Sequence, residues 1–298
     1  MEEAKIVFLG TGGSVPTKNR NHSAILLSLA GENFLVDCGE GTQRQLRIAG
    51  ISPTKIDKIL VTHWHGDHVL GIPGLIQTLS MMNYSKTLKI YGPKGTSHHI
   101  SLVRELIKRV NIPIEVHEVS GTFIKCKGFH VEAASMAHGI PTNAYSFVID
   151  DRRRMDKNKL KKLKVPNSPA IGKLQQGRDV VINGKKIKAA SVSYLEKGKK
   201  ITFILDTGNN SSAAKLAKNS NILIMEASFS EKEKEKAKEY LHLTSIDAAT
   251  IAKKAKARKL ILTHISQRYE RNPEILENEA KKIFKNVSLA KDFEVVLL

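Results

Sequence analysis

Apolar residues along this chain gather in short runs that end on polar or charged residues. Ile6 to Leu9, Asn33 to Asp37, Lys58 to Thr62, Lys89 to Tyr91, Phe129 to Ala133, Ile201 to Asp206, Asn221 to Met225 and Lys259 to Thr263 are each brief and rich in β-branched residues. Such runs predict strands buried on both faces, where no polar alternation is needed. Elsewhere the spacing changes to the helical period. Ser245 to Ala257 has apolar positions three and four apart and closes on basic residues. Gly71 to Met82 behaves similarly, with Pro73 near its start, where a missing N–H costs little. Strands alternating with helices predict an α/β layered architecture.

Composition narrows the setting. At 41% apolar over 298 residues the chain is globular and long enough for one large core, so residues 1–298 are expected to form a single domain. No apolar run approaches the roughly 20 residues that span a bilayer, which excludes a membrane-buried role. The opening Met1-Glu2-Glu3-Ala4-Lys5 lacks the basic start and apolar core of a secretory leader, so a cytoplasmic location is expected. The two cysteines, Cys38 and Cys126, lie far apart and read as reduced thiols.

Charge adds a partner class. The net charge is +19, a balance suited to a polyanion. It is not spread evenly. Residues 151–200 hold 16 Lys or Arg against 4 Asp or Glu, so +12 falls in one sixth of the chain. Arg152-Arg153-Arg154 opens this segment, Lys161, Lys162 and Lys164 follow, and Pro166-Asn167-Ser168-Pro169 marks a turn. Its apolar content is thin, which predicts an insertion that projects from the domain and adds little to its main core.

The densest chemical signal is Thr62-His63-Trp64-His65-Gly66-Asp67-His68, directly after the apolar Ile59-Leu60-Val61. In extended chain, residues two apart share a side, so His63 and His65 converge at the strand end while Trp64 points away and packs. Gly66 is expected to let the chain turn and bring Asp67 and His68 back. Three imidazoles and a carboxylate make a nitrogen and oxygen set that suits zinc or manganese. His138, Asp206 and His264 each follow an apolar run and supply ligand types that a second ion would need. A pair of ions needs more than four ligands and a shared bridge. His63, His65 and His138 would hold one, Asp67, His68 and His264 the other, and Asp206 has two oxygens with which to bridge. Asp206-Thr207-Gly208 also reads like half of an aspartic-protease pair, but the chain has one such motif and that reading leaves the histidines unused.

Thr62 to His68 resembles the signature of the metallo-β-lactamase superfamily, and the likeness to its RNase Z branch runs through nearly the whole chain. Leu9-Gly10-Thr11-Gly12-Gly13-Ser14, Asp37-Cys38-Gly39-Glu40-Gly41-Thr42-Gln43, Tyr91-Gly92-Pro93 and Leu262-Thr263-His264-Ile265-Ser266-Gln267-Arg268-Tyr269 resemble that branch. Glu226-Ala227-Ser228-Phe229 and His242-Leu243-Thr244 resemble two motifs particular to it. The resemblance implies a four-layer αβ/βα sandwich, two Zn2+ per subunit at its edge, and removal of the 3′ trailer from precursor tRNA. It also implies that Glu226 and His242 pass a proton to the leaving oxygen, with Asp67 in the reacting centre. The basic insertion then matches a flexible arm, or exosite, that clamps tRNA, commonly across a homodimer. Arg152, Arg153, Arg154, Lys161, Lys162, Lys164 and Arg268 are the expected RNA contacts. Three departures stand out: Ser168-Pro169 where the arm usually has Gly-Pro, Leu205 for a glycine, and Leu243 for a serine. The alternative is a hydrolase of a small ester or cyclic phosphodiester on the same fold. His22, His98, His99, His117 and His130 are expected to be surface or packing residues.

Overall fold

Alternation of side chains along the strands divides the apolar residues into three layers of core. In a computed structural model of the chain, residues 4–108, 110–182 and 184–298 are described, and Met1 to Glu3 lie outside them. Two seven-stranded sheets face each other. The first runs in the order Val295–Leu297, Lys5–Gly10, Ala24–Leu29, Glu32–Val36, Lys58–Leu60, Leu88–Gly92 and Ile114–Glu118. The second runs Val287–Leu289, Lys259–Thr263, Ile222–Glu226, Lys200–Ile204, Asn143–Ile149, Phe129–Ser135 and Gly121–Cys126.

Ile6 and Phe8 point between the sheets, while Val7 and Leu9 point outward. Phe203 and Ile224 likewise point inward, and Ile204 and Met225 outward. The inner layer is aromatic. Phe34 meets Phe147 edge-on at 4.9 Å, and Phe147 meets Phe203 at 5.8 Å. Burying one such side chain stabilises the fold by about 2–3 kcal/mol, so this interface carries much of the sandwich. Helices Thr42–Ile48, Gly71–Met81 and Thr96–Ile107 cover the outside of the first sheet through Leu46, Leu75 and Ile100. Helices Ser211–Leu216, Ser245–Lys254 and Glu274–Lys281 cover the second through Leu216, Ile251 and Leu276. The result is the four-layer αβ/βα arrangement that the resemblance implied.

Each sheet contains four parallel strands. Glu32–Val36, Lys58–Leu60, Leu88–Gly92 and Ile114–Glu118 form one set. Lys200–Ile204, Ile222–Glu226, Lys259–Thr263 and Val287–Leu289 form the other. Open parallel sheets place ligands outside the carboxyl ends of their strands. Asp37, the His63–His68 loop, Asp206, Glu226 and His264 all stand at such ends. The two sheets are tied there: Tyr145 Oη donates to the Val61 carbonyl at 2.6 Å and the Asn143 N–H to the Thr62 carbonyl at 2.8 Å.

The basic segment folds about itself. Arg152–Met155 pairs antiparallel with Ser193–Glu196, and Val180–Ile182 pairs with Lys185–Ile187. Helices Lys157–Lys162 and Pro169–Gln175 lie between them. Leu160, Leu174, Val180, Ile187, Ala189 and Val192 form an apolar cluster separate from the three layers. The segment therefore adds little to the main core, but its few apolar residues suffice for a small core of its own. Ser168-Pro169 serves as a helix start, with Pro169 in the first turn where its missing N–H is harmless.

Candidate functional site

The loop after Lys58–Leu60 delivers four of the expected side chains. His63 and His65 lie two apart and both reach the site, as alternation requires. Trp64 turns away, stacks on His99 at 4.5 Å and donates to Thr96 Oγ1 at 3.0 Å. Gly66 does more than turn the chain: it opens a one-turn helix, Gly66–Val69, and Asp67 and His68 project from that turn.

The seven expected metal-site side chains come together in two groups. His63, His65, His138 and Asp206 lie with their ligating atoms within 4.8 Å of one another, and so do Asp67, His68 and His264. In the first group His63 Nε2 stands 3.0 Å from His65 Nδ1 and 3.6 Å from Asp206 Oδ2. His138 Nε2 stands 3.2 Å from His65 Nδ1 and 3.9 Å from Asp206 Oδ2. In the second, His264 Nε2 stands 3.1 Å from His68 Nε2 and 3.2 Å from Asp67 Oδ2. Asp206 Oδ1 lies 3.4 Å from His68 Nε2 and 3.2 Å from His264 Nε2. One oxygen of Asp206 thus faces each group.

These separations fit an ion. Ligands about 2.0–2.1 Å from a tetrahedral centre lie about 3.3 Å apart. Asp206 Oδ1 is buried with no hydrogen-bond partner, a costly state for a carboxylate oxygen unless a cation meets it. Electrostatics agree. Burial, reinforced by its histidine neighbours, holds His63 well below its ordinary pKa, the neutral form a ligand needs. Burial works against a charge on His68 too, but the Asp206 and Asp37 carboxylates hold it well above the usual value. A proton on His68 occupies, in effect, the place of positive charge that a cation would fill. Burial opposes ionisation of Asp67, yet His264 and His68 hold it far below the carboxylate range.

The outward nitrogens are braced, which fixes tautomer and ring orientation. His68 Nδ1 meets Asp37 Oδ2 at 2.7 Å, and Asp37 also accepts from Thr62 N at 2.7 Å and Thr62 Oγ1 at 2.8 Å. His138 Nδ1 donates to the Leu241 carbonyl at 3.1 Å, and His264 Nδ1 meets Ser228 Oγ at 2.9 Å. Ser14 N donates to Asp67 Oδ2 at 2.7 Å. Asp37 and His264 both hold positive φ, 58° and 57°. Strain of this kind persists where surrounding contacts over-determine the backbone. Gly13 permits the closest approach: a Cβ there would lie 2.4 Å from the His264 ring.

A second constellation adjoins the first. Glu226 is fully buried at a strand end. It accepts from Thr207 N at 2.6 Å, Ser228 Oγ at 2.7 Å and His242 Nδ1 at 2.9 Å. Burial would depress His242, but the Glu226 carboxylate, and Asp206 more weakly, raise it to about 9. Asp206, His242 and His264 also lie within 4.8 Å of one another, but His242 Nδ1 is taken by Glu226, which favours an acid over a ligand. Thr244 anchors this stretch. It caps helix Ser245–Lys254, and Thr244 and Asp247 bond reciprocally across the first turn, an arrangement worth about 1 kcal/mol. Leu243 is fully buried in the outer core of the second sheet, so the departure from serine adds an apolar anchor.

A cleft of about 640 Å³ opens onto both constellations, lined among others by Asp67, His138, Phe229, Tyr240, His242 and Arg268. Arg268 lies over the Phe229 ring at 4.9 Å and pairs with Glu233 at 3.3 Å. The other expected RNA contacts lie in the basic segment, outside this cleft. Arg153 and Arg154 are partly engaged there, with Ser193 at 2.9 Å and Glu196 at 2.6 Å. Lys161, Lys162 and Lys164 are exposed. Among residues set aside on sequence grounds, His117 stacks on Tyr91 and His130 meets Glu132, as packing residues do. His22 differs: it is buried at the cleft wall with neither ring nitrogen hydrogen-bonded. Asp37, Ser14 and Ser228 were given no role from sequence. Asp37 alone had a usable signal, a carboxylate at the end of a buried strand, as at Asp206.

A family profile described as anti-Pycsar protein Apyc1 matches residues 4–157, just over half the chain, so the chain falls within that family as well. That stretch carries His63 to His68 and His138 but stops before Asp206, Glu226, His242 and His264. Full-length likeness is to ribonuclease Z. The protein of that name from Methanothermobacter thermautotrophicus is 40% identical over 98% of this chain and 96% of its own. That from Enterococcus faecalis is 37% identical over 98% and 96%. Among solved structures, the short form of human tRNase Z superposes with a TM-score of 0.70 at 30% identity, covering 98% of both chains. The metallo-β-lactamase fold protein YhfI from Bacillus subtilis superposes over all of both chains at 0.72, and at 20% identity shares the fold. A metal-binding edge intact in every expected side chain, on this fold and with likeness of this extent, establishes that the chain belongs to the ribonuclease Z family of metal-dependent endoribonucleases.

Proposed function

We propose that this chain is a two-zinc endoribonuclease that cleaves precursor tRNA just after the discriminator base, leaving a 3′-hydroxyl on the tRNA and a 5′-phosphate on the trailer. The observation that carries the reading is Asp206 standing between two histidine groups with the protonated His242–Glu226 pair beside it. His63, His65 and His138 would hold one ion, Asp67, His68 and His264 the other. Bound there, divalent ions supply charge that lowers the pKa of water and offsets that of a phosphodiester. Glu226 keeps His242 protonated and fixes its ring through Nδ1, which leaves Nε2 free to protonate the departing 3′ oxygen. An alkoxide leaves poorly without that proton.

The basic segment 151–200 supplies sequence-independent grip on the tRNA backbone. Two copies of the chain pair through the helices over the first sheet, where Ile48, Met81, Leu102 and Leu106 are exposed and apolar. The cytoplasm, where precursor tRNA and reduced thiols coexist, is the matching compartment.

Wild type and His65→Ala are incubated with an end-labelled, trailer-bearing precursor tRNA. Wild type releases the trailer and the variant does not. Equal cleavage by both would refute the metal mechanism. Deleting residues 151–200 separates the tRNA reading from a hydrolase of small esters or cyclic phosphodiesters: trailer release collapses under the first and persistent turnover of a cyclic diester alone marks the second.

A further inference from the structure

The cleft offers an aromatic shelf beside the acid. Tyr240 is 58% exposed, although it immediately precedes the two residues that build the site's far wall. Leu241 holds a positive φ of 55° and gives its carbonyl to His138, and His242 Nδ1 is hydrogen-bonded to Glu226 at 2.9 Å. The backbone of Tyr240 is therefore fixed on both sides of a strained turn, with its N–H bonded to the Lys236 carbonyl at 2.9 Å and that of His242 to Ala237 at 2.8 Å. The Tyr240 ring lies parallel to Phe229, 1° apart in plane and 6.4 Å between centroids. Phe229 is almost wholly buried and is already covered by the Arg268 guanidinium. Tyr240 is the ring left with open surface in the cleft.

We propose that Tyr240 is a nucleobase subsite that stacks the base on the 5′ side of the cleaved bond, the discriminator base of the tRNA. The proposal rests on the function proposed above and follows from its polarity. His242 gives its proton to the 3′ oxygen that leaves, so the nucleotide carrying that oxygen lies on the His242 side of the ions. Tyr240 is on that side, two residues away. The base there is unpaired at the end of the acceptor stem, and unpaired bases seek aromatic faces. Every base has such a face, so the subsite accepts all four and favours purines, whose stacking area is larger. Arg268, held over Phe229 and by Glu233, carries positive charge to the same wall, where the backbone of this nucleotide passes.

The test compares wild type, Tyr240→Ala and Tyr240→Phe on a precursor with a purine discriminator and on the same precursor made abasic at that position. Tyr240→Ala lowers kcat/KM about tenfold on the purine precursor, within the range for one base on one ring. Tyr240→Phe keeps the ring and restores it. On the abasic precursor, wild type and Tyr240→Ala become equal. The same loss for Tyr240→Ala on both precursors would overturn the subsite in favour of a structural role in seating His242, and no loss on either would overturn it outright. Metal content of each variant checks that the His138 side of the site is intact. Failure of wild type to cleave either precursor would instead overturn the proposed function, and the subsite with it.

Discussion

Replacing Glu226 with glutamine keeps the shape of the site and removes one charge. Glu226 accepts three hydrogen bonds, from Thr207 N, Ser228 Oγ and His242 Nδ1. Glutamine keeps one acceptor, enough for Thr207 N, and turns an NH₂ toward His242. The imidazole must then accept at Nδ1 and carry its single proton on Nε2 as a neutral ring, a poor acid. With the carboxylate present His242 titrates near 9. Asp206 adds less, at 3.9 Å, and Glu226 carries most of the rise against burial. Without it His242 falls to the ordinary histidine value of about 6.5 or below. The difference is worth about 3 kcal/mol of preference for the protonated ring.

A raised pKa keeps the acid form below about 9, so activity that needs it is lost as pH rises through that value. At about pH 7.5 the wild-type ring is almost fully protonated, and in the variant roughly one ring in ten is. Trailer release, followed as kcat/KM from about pH 5.5 to 9.5, therefore falls about tenfold in Glu226→Gln at pH 7.5 and recovers as pH drops. The descending limb moves down by about two units or more. A loss of the same factor at pH 6 and pH 7.5, with the limb unmoved, would refute this account and leave Glu226 a structural residue.

Ser228→Ala removes the partner of His264 Nδ1, and metal titration is expected to show about 10–100-fold weaker binding, the usual cost of losing an outer hydrogen bond to a ligating histidine. Gly13→Ala forces a Cβ to within 2.4 Å of the His264 ring, which must shift by about 1 Å; kcat then falls about 100-fold. Metal analysis should find less than the wild-type complement, and normal content with normal kcat would sink that reading. Met81→Glu combined with Leu106→Glu places charges on the exposed apolar helix face, and sedimentation is expected to report a monomer for the variant and a dimer for wild type; one state for both would refute the proposed pairing.

All eight apolar runs became strands, because a short β-branched stretch buried on both faces has few other fates. Boundaries shifted by a few residues: the run Ile201 to Asp206 is strand only to Ile204. Six strands of the two large sheets lay outside those runs, among them Ala24–Leu29, which reads Ala-Ile-Leu-Leu-Ser-Leu, a composition equally suited to a helix. Pairing with Lys5–Gly10 on one side and with Glu32–Val36 on the other settles it. Helix Thr96–Ile107 keeps helical spacing at Ile100, Val103 and Ile107, but it opens on Thr96, Ser97, His98 and His99, so its first turn carries no apolar signal. The seven candidate ligand positions that the fold brings together were legible because each stands at or just beyond a strand end, where sequence pattern and chemistry coincide. The braces were not. Ser228 looks like any small polar residue until His264 and Glu226, 36 positions ahead and two behind, arrive on either side of it.

The site is divided between the two halves of the chain. The half matched by the Apyc1 profile supplies His63, His65, Asp67, His68 and His138, from loops and the one-turn helix Gly66–Val69 at the edge of the inner sheets. Asp206 joins the first group and His264 the second from the other half. That second half also contributes Glu226, His242 and the aromatic wall, and the basic segment is inserted at the seam, between Asn143–Ile149 and Lys200–Ile204. These two strands pair directly, Tyr145 against Phe203, so the inserted segment is anchored to the strand that leads to Asp206. Under the proposed function, this attachment sets the distance from the tRNA body to the cleaved bond.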